Sequence, residues 1–160
     1  MTRSNVVVGP GAEIRESATP RKELQKVALD KLRSYNSWWE GSECFRCVTT
    51  PQELKEAVTA ARPGQLVVVD YFAPDCPGCR SLHPKLCSIA TQRTDAVFIQ
   101  VNVTTPEMRS LCDGMGISSI PWFQLFVSGS LRASFTANLT TLSRLRAEMA
   151  RAIADDAEEA

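Results

Sequence analysis

The spacing of apolar residues predicts alternating strands and helices along most of the chain. Val97, Ile99 and Val101 recur at every second position, which is the period of a strand. The nearly unbroken apolar run at 66–72 indicates a strand that is covered on both faces. The predicted helices lie at about 20–35, 51–62, 77–94, 106–114 and 140–154, and the predicted strands lie at about 44–49, 66–72, 97–103, 121–127 and 131–136.

This order of elements predicts an α/β fold in which a central mixed β-sheet is flanked by helices on both faces. Residues 1–18 are polar, and we expect them to form a disordered leader. We expect a helical extension at 19–43 with Thr19 as its N-cap, one domain at 44–154, and an acidic tail at 155–160.

The composition is typical of one soluble globular domain and argues against several classes of protein. The 160 residues are 44% hydrophobic and 22% charged. Basic and acidic residues number 18 each, whereas a nucleic-acid-binding protein favours a basic excess. No apolar run approaches the roughly 18 residues that span a bilayer, and the N-terminus lacks the apolar core of a secretory signal. Residues 1–12 contain no acid, so they fit the remnant of an organellar transit peptide as well as a plain leader.

Cys76 and Cys79 carry the strongest chemical signal in the sequence. They form a Cys-x-x-Cys motif where a buried strand turns into a helix. The thiolate is the reactive form of cysteine, and the N–H groups and dipole at a helix N-terminus favour it at the first cysteine. Two intervening residues in the first turn bring the sulfurs within bridging distance. The pattern predicts thiol–disulfide chemistry in which Cys76 attacks and Cys79 resolves the mixed disulfide.

A second pair, Cys44 and Cys47, leaves another class of function open. With Cys76 and Cys79 it has the outline of a four-cysteine zinc site, as in a redox-sensing or zinc-holding interaction module without turnover. The predicted strand at 44–49 weighs against zinc, because residues three apart in a strand point to opposite faces. We therefore expect no metal and no cofactor.

Other distinctive residues are interpreted first as packing residues. His83 falls at the edge of the apolar stripe of its helix, which indicates a boundary residue; tuning of Cys79 or metal binding is the alternative. Cys87 and Cys112 are interpreted as small core residues, with regulatory thiols as the alternative. The two tryptophans at 38–39 are interpreted as packing for the helical extension, with a partner-binding platform as the alternative.

The domain resembles thioredoxin at several corresponding places. Residues 67–73 (VVVDYFA) precede the motif, Pro84 lies five residues after it, and residues 119–121 (SIP) follow later. The resemblance covers about 45–154 and implies a thioredoxin fold with an N-terminal helical extension.

A narrower resemblance concerns residues 38–40 (WWE), 76–85 (CPGCRSLHPK) and Cys87. These are similar to the atypical cysteine- and histidine-rich thioredoxins of chloroplasts, since ordinary thioredoxins lack the His-Pro and the double Trp. This resemblance implies a monomeric protein-disulfide oxidoreductase of the chloroplast stroma that binds neither nucleic acid nor membranes. Its expected partners are plastid protein disulfides, with two-cysteine peroxiredoxin as the first candidate.

The resemblance also implies roles for individual residues. Asp70 matches a buried carboxylate that assists proton transfer to and from Cys79; a carboxylate satisfied by caps or water is the alternative. Pro121 matches a cis-proline that faces the disulfide, beside which a substrate strand pairs. Trp122 fits substrate contact and core filling equally. The residues assigned to substrate binding are Pro77, Gly78, Ile120, Pro121 and Trp122.

Three positions depart from the thioredoxin pattern. Asp75 stands where Trp is usual, Pro77-Gly78 replaces Gly-Pro, and Gln100 replaces the Lys that often accompanies the buried Asp. These departures leave the redox potential and the substrate surface open, but they do not change the expected reaction type.

Overall fold

The computed structural model of the protein describes residues 20–160, apart from the side chains of 34–36. The predicted leader and the Thr19 cap lie outside the described residues. The chain divides into two units, of which the first ends at Tyr35 and the second runs from Asn36 to Ala160. An N-terminal helix is present as predicted, α1 (Arg21–Asn36).

The second unit contains a five-stranded mixed sheet with the strand order β1-β3-β2-β4-β5. The three strands β1, β3 and β2 pair in parallel, whereas β4 pairs antiparallel with both β2 and β5. This confirms the predicted α/β fold. The elements are β1 (Arg46–Val48), α2 (Pro51–Thr59), β2 (Leu66–Phe72), α3 (Pro77–Gln92), β3 (Val97–Asn102), α4 (Pro106–Gly114), β4 (Trp122–Val127), β5 (Ser130–Thr136), a 3-10 turn (Leu139–Thr141) and α5 (Leu142–Glu159).

Helices α2 and α4 begin at the capping sequences that the chain carries. The Thr50 hydroxyl accepts the N–H of Glu53, whose carboxylate in turn accepts the N–H of Thr50. The Thr105 hydroxyl accepts the N–H of Met108 in the same way. Each helix has proline at its first position, where the missing N–H costs no hydrogen bond.

Two apolar cores lie on the two faces of the sheet. Successive residues of β2 alternate between them, so Val68 packs with α3 and α5, whereas Val67 and Val69 pack with α2 and α4. Cys112 is buried in the second core, as predicted. None of the described helices is long and apolar enough to span a membrane.

The acidic run at 155–159 belongs to α5 and does not form a separate tail. Arg132 on β5 pairs with Asp156 at 2.8 Å and with Glu159 at 2.7 Å. Negative charge at a helix C-terminus opposes the helix dipole, and the Arg132 guanidinium offsets that effect. The helix therefore continues about five residues beyond its predicted end.

Candidate active site

Cys76 and Cys79 are joined by a disulfide at the beginning of α3. Cys76 is the N-cap residue, Pro77 is the first helical residue, and the Cys79 N–H lies 3.2 Å from the Cys76 sulfur. Cys76 is partly exposed, whereas Cys79 is only 3% exposed. The two sulfurs therefore differ in access as well as in their position relative to the helix end.

The peptide segment Ile120–Pro121 faces Cys76, and its bond is cis as the resemblance implied. The Ile120 carbonyl oxygen lies 4.0 Å from the Cys76 sulfur. A Cβ atom built on Gly78 would lie 3.7 Å from the Pro121 ring. The structure thus brings Cys76, Gly78, Ile120 and Pro121 together, with Pro77 exposed beside them.

An open cleft of about 310 Å³ adjoins this segment. Asp75, which precedes the first cysteine, is exposed and lines the cleft together with Ile120 and Arg109.

Trp122 occupies a different position from the other predicted substrate residues. It is half-buried, packs against the core formed with α2 and α4, and donates its indole N–H to the Ser134 hydroxyl at 2.9 Å. These contacts favour the core-filling interpretation of Trp122.

Asp70 lies on β2 beneath α3. Because side chains alternate along a strand, Asp70 lies on the same face of β2 as Leu66 and Val68, which pack in one core with the apolar residues of α3. Asp70 is 3% exposed, and its Oδ1 has no hydrogen-bond partner among the described residues. Burial raises the pKa of Asp70 to about 7. This carboxyl group can therefore gain or lose a proton near neutral pH.

His83 is buried, so its interpretation as a boundary residue is wrong. It is 8% exposed, stacks on Phe45, and contacts the edge of Trp38. Its Nδ1 lies 3.1 Å from Gln100 Nε2 and its Nε2 lies 3.5 Å from Cys87 Sγ. The helical pattern alone missed this because the segment before β1, which covers His83, comes from elsewhere in the sequence.

The hydrogen bonds of His83 indicate which of its two ring nitrogens carries the proton. The Gln100 amide nitrogen can only donate, so Nδ1 accepts and Nε2 carries the proton that points at the Cys87 sulfur. The Gln100 oxygen lies 3.6 Å from the thiol of Cys47 and accepts from it. Burial lowers the pKa of His83, which favours this neutral form.

Cys44 and Cys47 are not brought together with Cys76 and Cys79 in a four-cysteine arrangement within the described residues. Cys44 lies before β1 and contacts Cys87, while Cys47 is exposed. Cys87 is half-buried, so its interpretation as a buried core residue is wrong. Among residues 20–160 no group of three or more His, Cys, Asp or Glu side chains is arranged to hold a metal ion.

Trp38 and Trp39 pack on the domain, beside the active-site loop. Both rings contact Phe72, and the Trp38 indole N–H donates to the Pro74 carbonyl at 3.0 Å. The sequence assigned them to the helical extension, whereas the structure places them against the end of β2.

Comparisons with known proteins agree with this geometry. The family model described as Thioredoxin matches residues 46–151. A curated relative, "Thioredoxin-like 1-2, chloroplastic" from Oryza sativa subsp. japonica, is 33% identical over 150 residues, which cover 91% of this chain and 52% of the relative. The chain thus spans about half the length of the curated relatives that it matches.

Solved structures share the fold. The thioredoxin of Fasciola hepatica superposes with a TM-score of 0.59 at 24% identity, covering 67% of this chain and 98% of that one. A chain from "Structural basis of the thiol resolving mechanism in yeast mitochondrial 1-Cys peroxiredoxin via glutathione/thioredoxin systems" has a TM-score of 0.53 at 21% identity, covering 62% and 91%.

Proposed function

Because the chain belongs to the thioredoxin family, we propose that it is a thiol–disulfide oxidoreductase that works through Cys76 and Cys79. The observation that carries this proposal is the disulfide at the exposed start of α3, facing the Ile120–Pro121 peptide. A cysteine at a helix N-terminus is held where its thiolate is favoured, and exposure gives a substrate disulfide access to it.

In the reduced protein the Cys76 thiolate attacks one sulfur of a substrate disulfide and releases the first substrate thiol. Cys79 then attacks the Cys76 sulfur, which releases the second thiol and forms the Cys76–Cys79 disulfide. Two electrons pass from the protein to the substrate. The resemblance assigns Asp70 to take the proton from Cys79 in the second step, and its pKa of about 7 suits a general base near neutral pH. The reaction needs no cofactor.

The substrate chain lies beside the Ile120–Pro121 segment. The Ile120 backbone is next to the Cys76 sulfur and borders the cleft, so an extended substrate can pair with it while its disulfide meets Cys76. Pro77 and Gly78 form the opposite side of this contact.

The proposed substrates are plastid protein disulfides, and the proposed location is the stroma. Curated relatives from rice and Arabidopsis thaliana carry "chloroplastic" in their names. A two-cysteine peroxiredoxin is the first candidate partner, as the resemblance to the atypical chloroplast thioredoxins implies. We propose that the protein acts as a monomer.

Reduction of insulin disulfides by dithiothreitol tests the activity. The wild-type chain should accelerate the reaction, and Cys76→Ser should reduce the rate to that of dithiothreitol alone. Cys47→Ser is the matched control, because it removes an exposed cysteine outside the pair and should keep the wild-type rate. A wild-type chain with no turnover would support the alternative of a redox-sensing module.

The peroxiredoxin proposal is tested separately. The reduced wild-type chain should convert an oxidised plastid two-cysteine peroxiredoxin to its thiol form at least 10-fold faster than Cys76→Ser. Equal rates, in a preparation that reduces insulin, would reject this partner and leave the oxidoreductase activity standing.

A further inference from the structure

Cys44 and Cys87 form a second pair of thiols outside the Cys-x-x-Cys motif. Their sulfurs lie 2.6 Å apart, although the residues are 43 positions apart in the sequence. Two unbonded sulfur atoms stand roughly 3.6 Å apart at van der Waals contact, and a disulfide bond measures about 2.05 Å. The side chains are thus already oriented towards each other within reach of a bond.

Polar side chains surround the two sulfur atoms. The Ser42 hydroxyl lies 2.8 Å from the Cys44 sulfur and 3.2 Å from the Cys87 sulfur, and His83 Nε2 lies 3.5 Å from Cys87. Polar groups on two elements therefore converge on the pair. Both cysteines are half-buried, so a small disulfide can reach them.

We propose that Cys44 and Cys87 are a second redox-active dithiol, which forms an intramolecular disulfide when the protein meets an oxidising disulfide. This inference does not depend on the function proposed for Cys76 and Cys79.

The reaction balances as two thiol–disulfide exchanges. Cys44 attacks a sulfur of the oxidising disulfide and releases one of its halves as a thiol; Cys87 then attacks Cys44 and releases the second half. The S–S bond of the oxidant is broken, the Cys44–Cys87 bond forms, and two electrons and two protons end on the released thiols. Burial, followed by the contact with Cys44, raises the pKa of Cys87 to about 11, and the products are the same if Cys87 attacks first.

The preset geometry favours the intramolecular bond over a lasting adduct with the oxidant. Two groups held in contact react with effective molarities far above the concentration of any small thiol in solution. The bond would join the segment before β1 to α3. That segment also carries Trp38, which contacts Phe72 and the Pro74 carbonyl beside the active site.

Peptide mapping of the full chain tests the proposal. Trypsin cuts after Arg46, which separates Cys44 in residues 34–46 from Cys47 in residues 47–55, and it releases Cys87 in residues 86–93. The reduced protein is incubated with oxidised glutathione, remaining thiols are blocked with N-ethylmaleimide, and the digest is analysed by mass spectrometry without reduction.

We expect a linked peptide of 34–46 with 86–93 that accounts for most of the Cys44 signal once Cys76 and Cys79 are oxidised. Cys44→Ser should lose the link and leave Cys87 unlinked, and Cys47→Ser should keep the link. The proposal is overturned if, under conditions that oxidise Cys76 and Cys79, Cys44 and Cys87 remain reduced and are found alkylated. It is also overturned if each of them carries a separate glutathione adduct.

Discussion

Cys76 and Cys79 have different surroundings although only two residues separate them. Cys76 caps α3 and is partly exposed, whereas Cys79 lies about one turn further along and is buried. Their environments match an attacking thiol and a resolving thiol, respectively. Asp70 adds a carboxyl group that is buried beneath α3, and such a group is costly to bury in its charged form and suited to proton transfer.

Asp70→Asn should slow turnover and flatten its pH dependence. In the wild-type chain the base form of Asp70 increases as the pH rises through about 7, so the resolving step should accelerate over that range. The amide cannot accept the proton, and we expect a loss of roughly 100-fold at pH 8, the lower end of the usual contribution of a general base. Insulin reduction measured from pH 5.5 to pH 8.5 checks this.

The same substitution should stabilise the protein at high pH. The pKa of Asp70 is raised on folding, so its stabilising effect is present below about pH 4 and is lost as the pH rises through about 7. The neutral amide of the variant has no such loss, and the upper limit of the gain at pH 8 is about 4 kcal/mol. Urea unfolding at pH 5 and pH 8 measures it. A large destabilisation with an unchanged rate would mean that Asp70 is a structural residue.

Helix α3 combines the redox motif with a buried polar network. Its first turn holds the disulfide, and its second and third turns carry His83 and Cys87 against Gln100 and Cys44. The sequence predicted the first part because the motif and its strand–helix context are contiguous. It could not predict the second, because the partners of His83 lie on β3 and in the segment before β1.

The inner dipeptide at the start of α3 should set a redox potential that is less reducing than that of thioredoxin, for which a value near −270 mV is typical. Gly78 replaces a rigid proline before Cys79, and the looser turn favours the dithiol; the exposed Asp75 opposes this weakly through its charge. A net effect of about 1.4 kcal/mol corresponds to about 30 mV, which gives about −240 mV.

Equilibration in dithiothreitol redox buffers at pH 7, followed by thiol labelling of residues 76 and 79, measures this potential. The double substitution Pro77→Gly with Gly78→Pro restores the usual order and should lower the potential by a similar amount. A wild-type value at or below −280 mV would show that the dipeptide does not control the potential in this way.

The disulfide of the domain lies just beyond the C-terminal end of β2, the central strand of a sheet that is covered on both faces. The alternation of β2 between two cores could be predicted from its unbroken apolar run, and the capping sequence at Thr50 predicted where α2 begins. The continuation of α5 could not be predicted from local sequence, because it depends on Arg132 from another element. The contacts of Trp38 and Trp39 were missed for the same reason.

The most direct test of the central claim compares covalent trapping by the two single-cysteine variants. Reduced Cys79→Ser and reduced Cys76→Ser are each mixed with insulin, and the products are separated on non-reducing gels. Cys79→Ser should accumulate a mixed disulfide through Cys76 that dithiothreitol releases, and Cys76→Ser should accumulate at least 10-fold less. Equal trapping by both variants, or trapping by Cys76→Ser alone, would contradict the assignment of Cys76 as the attacking thiol.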